Sequence, residues 1–159
     1  SVDHNSLLQT LKTYSGLPHR CEFVGRFGGA EFIDDSKATN PGATSAAVLG
    51  MAQAGRPMLL ILGGVSKGAD FSSLQSVVRQ HVAKVYIYGA AASAIKLALG
   101  ETVACAEFDR LAAVIQALVT EVPSGALVLF APACASFDQF DNFEHRGREF
   151  KRLVREAFL

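Results

Sequence analysis

Two five-residue runs, Met58-Leu59-Leu60-Ile61-Leu62 and Ala126-Leu127-Val128-Leu129-Phe130, contain no polar side chain. A strand with one solvated face alternates apolar and polar residues, so a strand without alternation is covered on both faces, as parallel strands in α/β sheets are. The rest of the chain agrees. From Thr44 onward the pattern predicts helix (44–54), strand (58–62), helix (72–81), strand (84–88), helix (91–99), strand (102–108), helix (110–119), strand (126–130) and helix (146–158). That alternation belongs to successive βαβ units. Earlier, residues 21–27 and 30–34 are strand-like runs divided by Gly28-Gly29, a pair that accepts the positive φ angles of a tight hairpin. The expected fold is a doubly wound, Rossmann-like, mostly parallel sheet with helices on both faces and an antiparallel hairpin at one edge. Residues 6–14 have leucines at 7, 8 and 11, a helical spacing that Gly16-Leu17-Pro18 ends. We therefore expect a short helix or linker over 1–16 and one domain over 17–159.

Composition narrows the functional classes. At 159 residues, half of them hydrophobic, the chain can bury a full core. Lys+Arg and Asp+Glu balance at 15 each, so there is no basic field to condense on a nucleic acid, although a local cluster could hold one anion. Cys21, Cys105 and Cys134 lack metal-ligand spacing and read as reduced thiols, each a small buried hydrophobe. His4, His19, His81 and His145 show no paired spacing, and no zinc site is expected. No apolar run approaches the roughly 20 residues of a membrane span, and no basic segment leads an apolar one. A cytoplasmic protein is expected.

Ligands of doubly wound sheets bind beyond the carboxyl ends of the strands, where the loops after Ile33, Leu62 and Phe130 lie. Each of these loops has two readings. In Asp35-Ser36-Lys37-Ala38-Thr39-Asn40-Pro41, Asp35 could accept hydroxyl hydrogen bonds from a ribose and Lys37 could meet developing negative charge, yet the same residues make a capped turn. Gly63-Gly64-Val65-Ser66-Lys67-Gly68-Ala69-Asp70 is either an anion cradle with a lysine or a glycine-rich turn. It is not a phosphate-binding Walker loop, which needs Gly-Lys-Ser/Thr after four residues. In the third loop, Ser136 lacks the strand–turn–helix setting of a nucleophile and suits hydrogen bonding, while Phe143 forms an apolar wall. Phe140 and Phe150 read as core, and Arg20 and His19 as ordinary surface or satisfied residues.

Four segments together resemble the C-terminal domain of the Mur ligase family. They are Leu17-Pro18-His19-Arg20, Asp35-Ser36-Lys37-Ala38-Thr39-Asn40, Gly63-Gly64-x-x-Lys67-x-Ala69-Asp70-Phe71 and Pro132-Ala133-Cys134-Ala135-Ser136-x-Asp138-x-Phe140-x-Asn142-Phe143-x-x-Arg146-Gly147. The resemblance runs in order from about Leu11 to the last residue. The Ser-Lys-Ala-Thr filling of the second segment resembles the D-glutamate-adding branch. Two departures, Phe130-Ala131 before the last segment and Val65-Ser66 in the third, remove no contact residue.

The resemblance implies a cytoplasmic ligase of peptidoglycan-precursor synthesis. In that family ATP phosphorylates the carboxylate of UDP-N-acetylmuramoyl-L-alanine, and the amine of D-glutamate attacks the acyl phosphate. It further implies that Thr39, Lys67, Ser136 and Phe143, with the backbone near Phe137, hold D-glutamate. Arg20 and Asp35 would contact ATP, and Lys37 would act near the reacting phosphate. The family's UDP-sugar domain and its central domain, with the phosphate loop and Mg2+ ligands, are not in these residues, so the chain alone is expected to be inactive and to hold no metal. Nucleic-acid and membrane partners are not expected, and a monomer is. Two alternatives stay open: a folylpolyglutamate synthase-like domain, and a free-standing nucleotide-binding or interaction module.

Overall fold

A computed structural model describes residues 16–159, and the helix expected at 6–14 lies outside them. Six strands form one sheet in the order β1-β2-β6-β3-β4-β5. They are β1 (Glu22–Phe27), β2 (Ala30–Asp34), β3 (Met58–Gly63), β4 (Lys84–Tyr88), β5 (Ala104–Phe108) and β6 (Leu127–Phe130). Among the described residues only the strand pair β1–β2 is antiparallel; β2 with β6, β6 with β3, β3 with β4 and β4 with β5 are parallel. The two apolar runs become β3 and β6, the middle pair, with Leu59 opposite Val128 and Leu60 opposite Leu129. The expected fold class is the observed one.

Helices cover both faces, and the sheet's period of two divides its side chains between them. Leu60 and Leu62 of β3 join Val48, Val78 and Ile95 in one buried cluster under α1 (Pro41–Met51), α2 (Gln75–His81) and α3 (Ala92–Leu99). Leu59 and Ile61 face the other way, packing with Val114, Leu118, Phe150 and Val154 of α4 (Leu111–Glu121) and α5 (Phe143–Ala157). Phe150 is fully buried as expected, and Phe140 packs at the rim of the second cluster.

Two helix starts differ from the sequence reading, by the same mechanism. Helix α1 begins at Pro41 instead of 44 because the Asn40 side chain accepts a hydrogen bond from the Ala43 N–H (2.9 Å), with proline in the first helical turn. Helix α5 begins at Phe143 instead of 146 because Asn142 accepts from the His145 N–H (2.7 Å). Phe143 is therefore held by a helix and not by a loop. The predicted helix at 72–81 opens as a 3-10 turn over Phe71–Leu74 before becoming α2.

Candidate functional site

The backbone fixes the loops at the carboxyl edge of the sheet before any side chain is considered. Past β2, the Asp35 N–H continues the ladder to the Phe130 carbonyl (2.8 Å), the Lys37 N–H reaches the His19 carbonyl (3.0 Å) and the Ala38 N–H returns to Asp35 (2.9 Å). Past β6, the Ala133 N–H donates to Ala38 (3.0 Å), and Ala135 exchanges hydrogen bonds with Val65 in both directions (2.8 and 3.2 Å). The β6 loop is thus stitched to the loops on either side of it.

The two glycines of the β3 loop serve this stitching. A Cβ on Gly63 would overlap the Tyr88 carbonyl, and one on Gly64 the Ala135 carbonyl. The Gly63 N–H is already given to Pro132 (3.0 Å). The pair lets three backbones approach, and the N–H of Gly63 is not offered to an anion. Lys67, beyond the glycines, is exposed.

Polar side chains complete the frame. Asp34 is fully buried: Oδ1 accepts from the Ser36 N–H (2.9 Å), and Oδ2 lies 2.6 Å from His19 Nδ1. His19 is therefore a buried, paired residue. Glu22 accepts from the His19 N–H (3.0 Å) and from Lys151 Nζ (3.0 and 3.1 Å). Ligand atoms of His19, Glu22 and Asp34 come within 4.8 Å of one another, but the lysine and the imidazole already serve these carboxylates. The trio reads as an ion-pair network. His19, Cys21 and Ala133 have φ of 63°, 44° and 62°, a left-handed conformation costly for residues with a Cβ and concentrated here on the segments that frame the site.

Arg146, fully buried on α5, is the central tie. Its Nε donates to Ser36 Oγ (3.0 Å), Nη2 to the Ser36 carbonyl (2.7 Å) and Nη1 to the Cys134 carbonyl (2.8 Å). Ser36 Oγ passes its own hydrogen to the Phe143 carbonyl (2.7 Å). Among the described residues no carboxylate pairs with this guanidinium, whose burial pulls its pKa below the ordinary value. The Tyr88 hydroxyl is buried without a hydrogen-bond partner, and that burial raises its pKa while the charge of Arg146 opposes the rise.

On this frame the sequence-predicted residues fall into two groups, a set of lysine–aromatic pairs and a cleft. Lys37 Nζ stands 4.3 Å from the centre of the Phe143 ring, and Lys67 Nζ 5.3 Å from that of Phe137, both within cation–π range. Ser136 is buried, and its carbonyl accepts from Phe140 (2.9 Å), which turns the chain between the two aromatic residues. Thr39 is exposed beside Lys37's loop. The second group is a cleft of about 360 Å³ in which Arg20, Asp35 and Lys37 face the small side chains Ala43, Ala46 and Ala47 of α1. Asp35 Oδ1 accepts from the Cys21 N–H (3.1 Å). Burial pushes the Asp35 carboxyl up to about 6; the Cys21 N–H opposes the rise and Asp34 adds to it.

Some sequence readings need correction. Cys21 is exposed at the rim of that cleft and Cys105 only half-buried; Cys134 alone is a buried hydrophobe. Although Cys21 as a whole is exposed, desolvation of its thiol by the surrounding protein, and then the charge of Asp35, push the thiol up to about 11. A larger cleft of about 580 Å³ lies between the start of α4 and α5 and contains none of the sequence-predicted site residues. Its Arg152 is engaged by Glu149 and Glu156. The smaller cleft and the lysine–aromatic pairs form the candidate site, because backbone strain and buried polar ties converge there. Sequence reasoning missed Asp34, Ser36, Arg146 and Gly147 as organisers; the signal was the density of polar residues and glycine in the two flanking segments.

Comparison with known proteins identifies the family of the chain. Residues 19–134 match the family described as Mur ligase, glutamate ligase domain. The chain is 44% identical over 157 residues to UDP-N-acetylmuramoylalanine--D-glutamate ligase of Saccharophagus degradans, covering 99% of the chain and 34% of that protein. It is 44% identical over 154 residues to the enzyme of the same name from Bordetella pertussis, covering 96% and 30%. The chain thus spans about a third of the length of these relatives. The fold is similar to that of MurF ligase from Thermotoga maritima in complex with ADP (TM-score 0.62, 14% identity, 96% of this chain and 36% of that one). It is also similar to that of a bifunctional folylpolyglutamate synthase/dihydrofolate synthase from Yersinia pestis (TM-score 0.66, 18% identity, 96% and 35%). Because the family match spans all six strands and most of the chain, the chain belongs to the Mur ligase family, as its glutamate ligase domain.

Proposed function

We propose that the chain is the D-glutamate-binding and ATP-contacting domain of an ATP-dependent ligase that joins D-glutamate to UDP-N-acetylmuramoyl-L-alanine in the cytoplasm, for peptidoglycan precursor synthesis. The observation that carries this reading is the pairing of Lys37 with Phe143 and Lys67 with Phe137 at one end of the sheet. A dicarboxylate needs cations and hydroxyls at fixed spacing, and an apolar wall strengthens their attraction by excluding water. Lys67 supplies a cation, Thr39 and Ser136 supply hydroxyls, and Phe143 and Phe137 supply the wall. The 44% identity to enzymes named for D-glutamate favours this reading over a folate-type ligase, which the fold alone would also accommodate.

The cleft of Arg20 and Asp35 suits a nucleoside. Asp35, when ionised, accepts ribose hydroxyls, Arg20 meets phosphate charge, and the alanines of α1 offer a flat apolar floor. Lys37 reaches from this cleft towards Phe143 and so lies between the two ligands, where it would steady charge on the transferring phosphoryl group. ATP supplies that group, converting the muramoyl-alanine carboxylate into an acyl phosphate that the D-glutamate amine then attacks. In this reading residues 1–16 lead in from a central domain that holds the phosphate loop and Mg2+, and residues 17–159 act as one unit. Among the described residues no helix is long and apolar enough to cross a membrane.

The test is ADP release by the full-length parent with ATP, UDP-N-acetylmuramoyl-L-alanine and either glutamate enantiomer. Turnover with D-glutamate and none with L-glutamate, together with silence from the 159-residue chain alone, is expected. Turnover with L-glutamate and a folate instead would overturn the reading, as would ligation by the chain alone.

A further inference from the structure

We infer that Arg146 is a positioning residue that locks the Ser36–Thr39 segment, the Cys134–Ser136 segment and the first turn of α5 into one ligand-ready arrangement. These three pieces follow different elements, and Ser36 and Arg146 are separated by 110 positions in sequence. One guanidinium holds all of them: two of its bonds go to Ser36 and one to Cys134, and Ser36 Oγ relays the tie to the Phe143 carbonyl. The hydroxyl can do both because it has lone pairs for Nε and one hydrogen for the carbonyl. Each anchor point adjoins a ligand-facing residue. Ser36 precedes Lys37, Cys134 lies two residues before Ser136, and Phe143 carries the ring beneath the Lys37 ammonium.

A purely structural role explains the residue poorly. Arg146 heads the largest fully buried side chains of the domain, and among the described residues its charge is met by carbonyls and a hydroxyl instead of a carboxylate. Apolar residues of similar volume usually serve stability as well or better at such positions. The planar fork supplies what an apolar residue lacks, directed donors to several backbones at once. Lysine keeps the charge without the fork.

The consequence for turnover rests on the function proposed above, and the structural half does not, so two measurements separate them. The first is amide hydrogen exchange on the 159-residue chain, comparing wild type, Arg146→Lys, Ser36→Ala and Val114→Ala, the last a core change in α4. Exchange at Lys37, Ala38 and Ala135, whose N–H groups are bonded in the stitched loops, should rise at least tenfold in Arg146→Lys and less in Ser36→Ala. Val114→Ala should lower the melting temperature without this local signature. A rise no larger than that of Val114→Ala would overturn the inference, and if Arg146→Lys does not fold, Ser36→Ala decides on the same criterion. The second is steady-state kinetics of the full-length ligase. The D-glutamate KM should rise tenfold or more in Arg146→Lys and by a smaller factor in Ser36→Ala, with kcat less affected; an unchanged KM would overturn the inference. If wild type fails to ligate D-glutamate, the functional reading falls, and the exchange data still judge Arg146.

Discussion

Gly147 is pressed against His19: a Cβ built on it would overlap the imidazole Nδ1 and lie 2.8 Å from Asp34 Oδ2. The absence of a side chain in the second turn of α5 is what lets that helix close over the buried His19–Asp34 pair.

Gly147→Ala should therefore destabilise the domain although alanine is the better helix former. The helix-propensity gain is about 1 kcal/mol. Overpacking against a paired imidazole and carboxylate costs about 1–3 kcal/mol and disturbs a hydrogen bond besides. We expect a net loss of about 1–2 kcal/mol, or roughly 3–6 °C in melting temperature for a domain of this size. Gly50→Ala is the matched control, since Gly50 sits exposed in α1 with nothing within 4 Å of an added Cβ, and it should be neutral or stabilising. Equal melting temperatures for the two variants would refute the close contact.

Asp35 gives a pH signature. Burial raises its folded-state pKa to about 6, above the ordinary aspartate value, so between about pH 4 and 6 the folded chain binds more protons at this site than the unfolded one. Its contribution to stability consequently declines as pH rises through that window and stays low above it. Asp35→Asn keeps an acceptor for the Cys21 N–H and removes the buried charge. Allowing for screening at the open side of the cleft, the variant should be more stable than wild type by about 1–2 kcal/mol at pH 7.5. The difference should disappear near pH 4. Urea melts of both proteins at pH 4, 6 and 7.5 test the sign, and a difference independent of pH would remove the assignment. Nucleotide affinity should fall in the same variant, a stability gain at the cost of function.

How much of this was legible in the sequence depends on the range of the interaction. The strand order's middle pair was readable because β3 and β6 each carry an unbroken apolar run, and burial on both faces leaves no other pattern. The hairpin was readable from two glycines. Helix starts at Pro41 and Phe143 were not, because a single asparagine side chain sets each, and asparagine is equally at home in a loop. At the candidate site, Lys37, Thr39, Lys67 and Ser136 are polar residues clustered in loop sequence, which is the pattern that marks them as candidates. Arg146 and Asp34 could not be assigned their role, since a buried tie between positions 36 and 146 leaves no periodic trace. The glycines of the β3 loop misled in a smaller way. Residue type showed that backbone comes close there, but only the fold shows that the neighbour is the Ala135 carbonyl.

Lys67 is the residue on which a plain turn and an anion pocket differ most. It is exposed on its loop, and its one notable contact is the Phe137 ring at 5.3 Å, a ring that is itself 63% exposed. Such an exposed cation–π pair contributes about 0.5–1 kcal/mol to folding, so Lys67→Ala should move the melting temperature by only about 1–4 °C. Against a bound dicarboxylate the same lysine makes a charge-assisted hydrogen bond of about 1.5–3 kcal/mol, roughly a ten- to hundredfold change in affinity. In the full-length ligase the D-glutamate KM should rise by that order, provided KM follows binding, while the ATP KM should change little because the cleft proposed for the nucleotide is built from other residues. Lys67→Arg should recover part of the loss by restoring the charge. Both Michaelis constants and the melting temperatures of the two variants separate the cases: an unchanged D-glutamate KM in Lys67→Ala would leave the Gly63–Gly68 loop a device for packing backbones and nothing more.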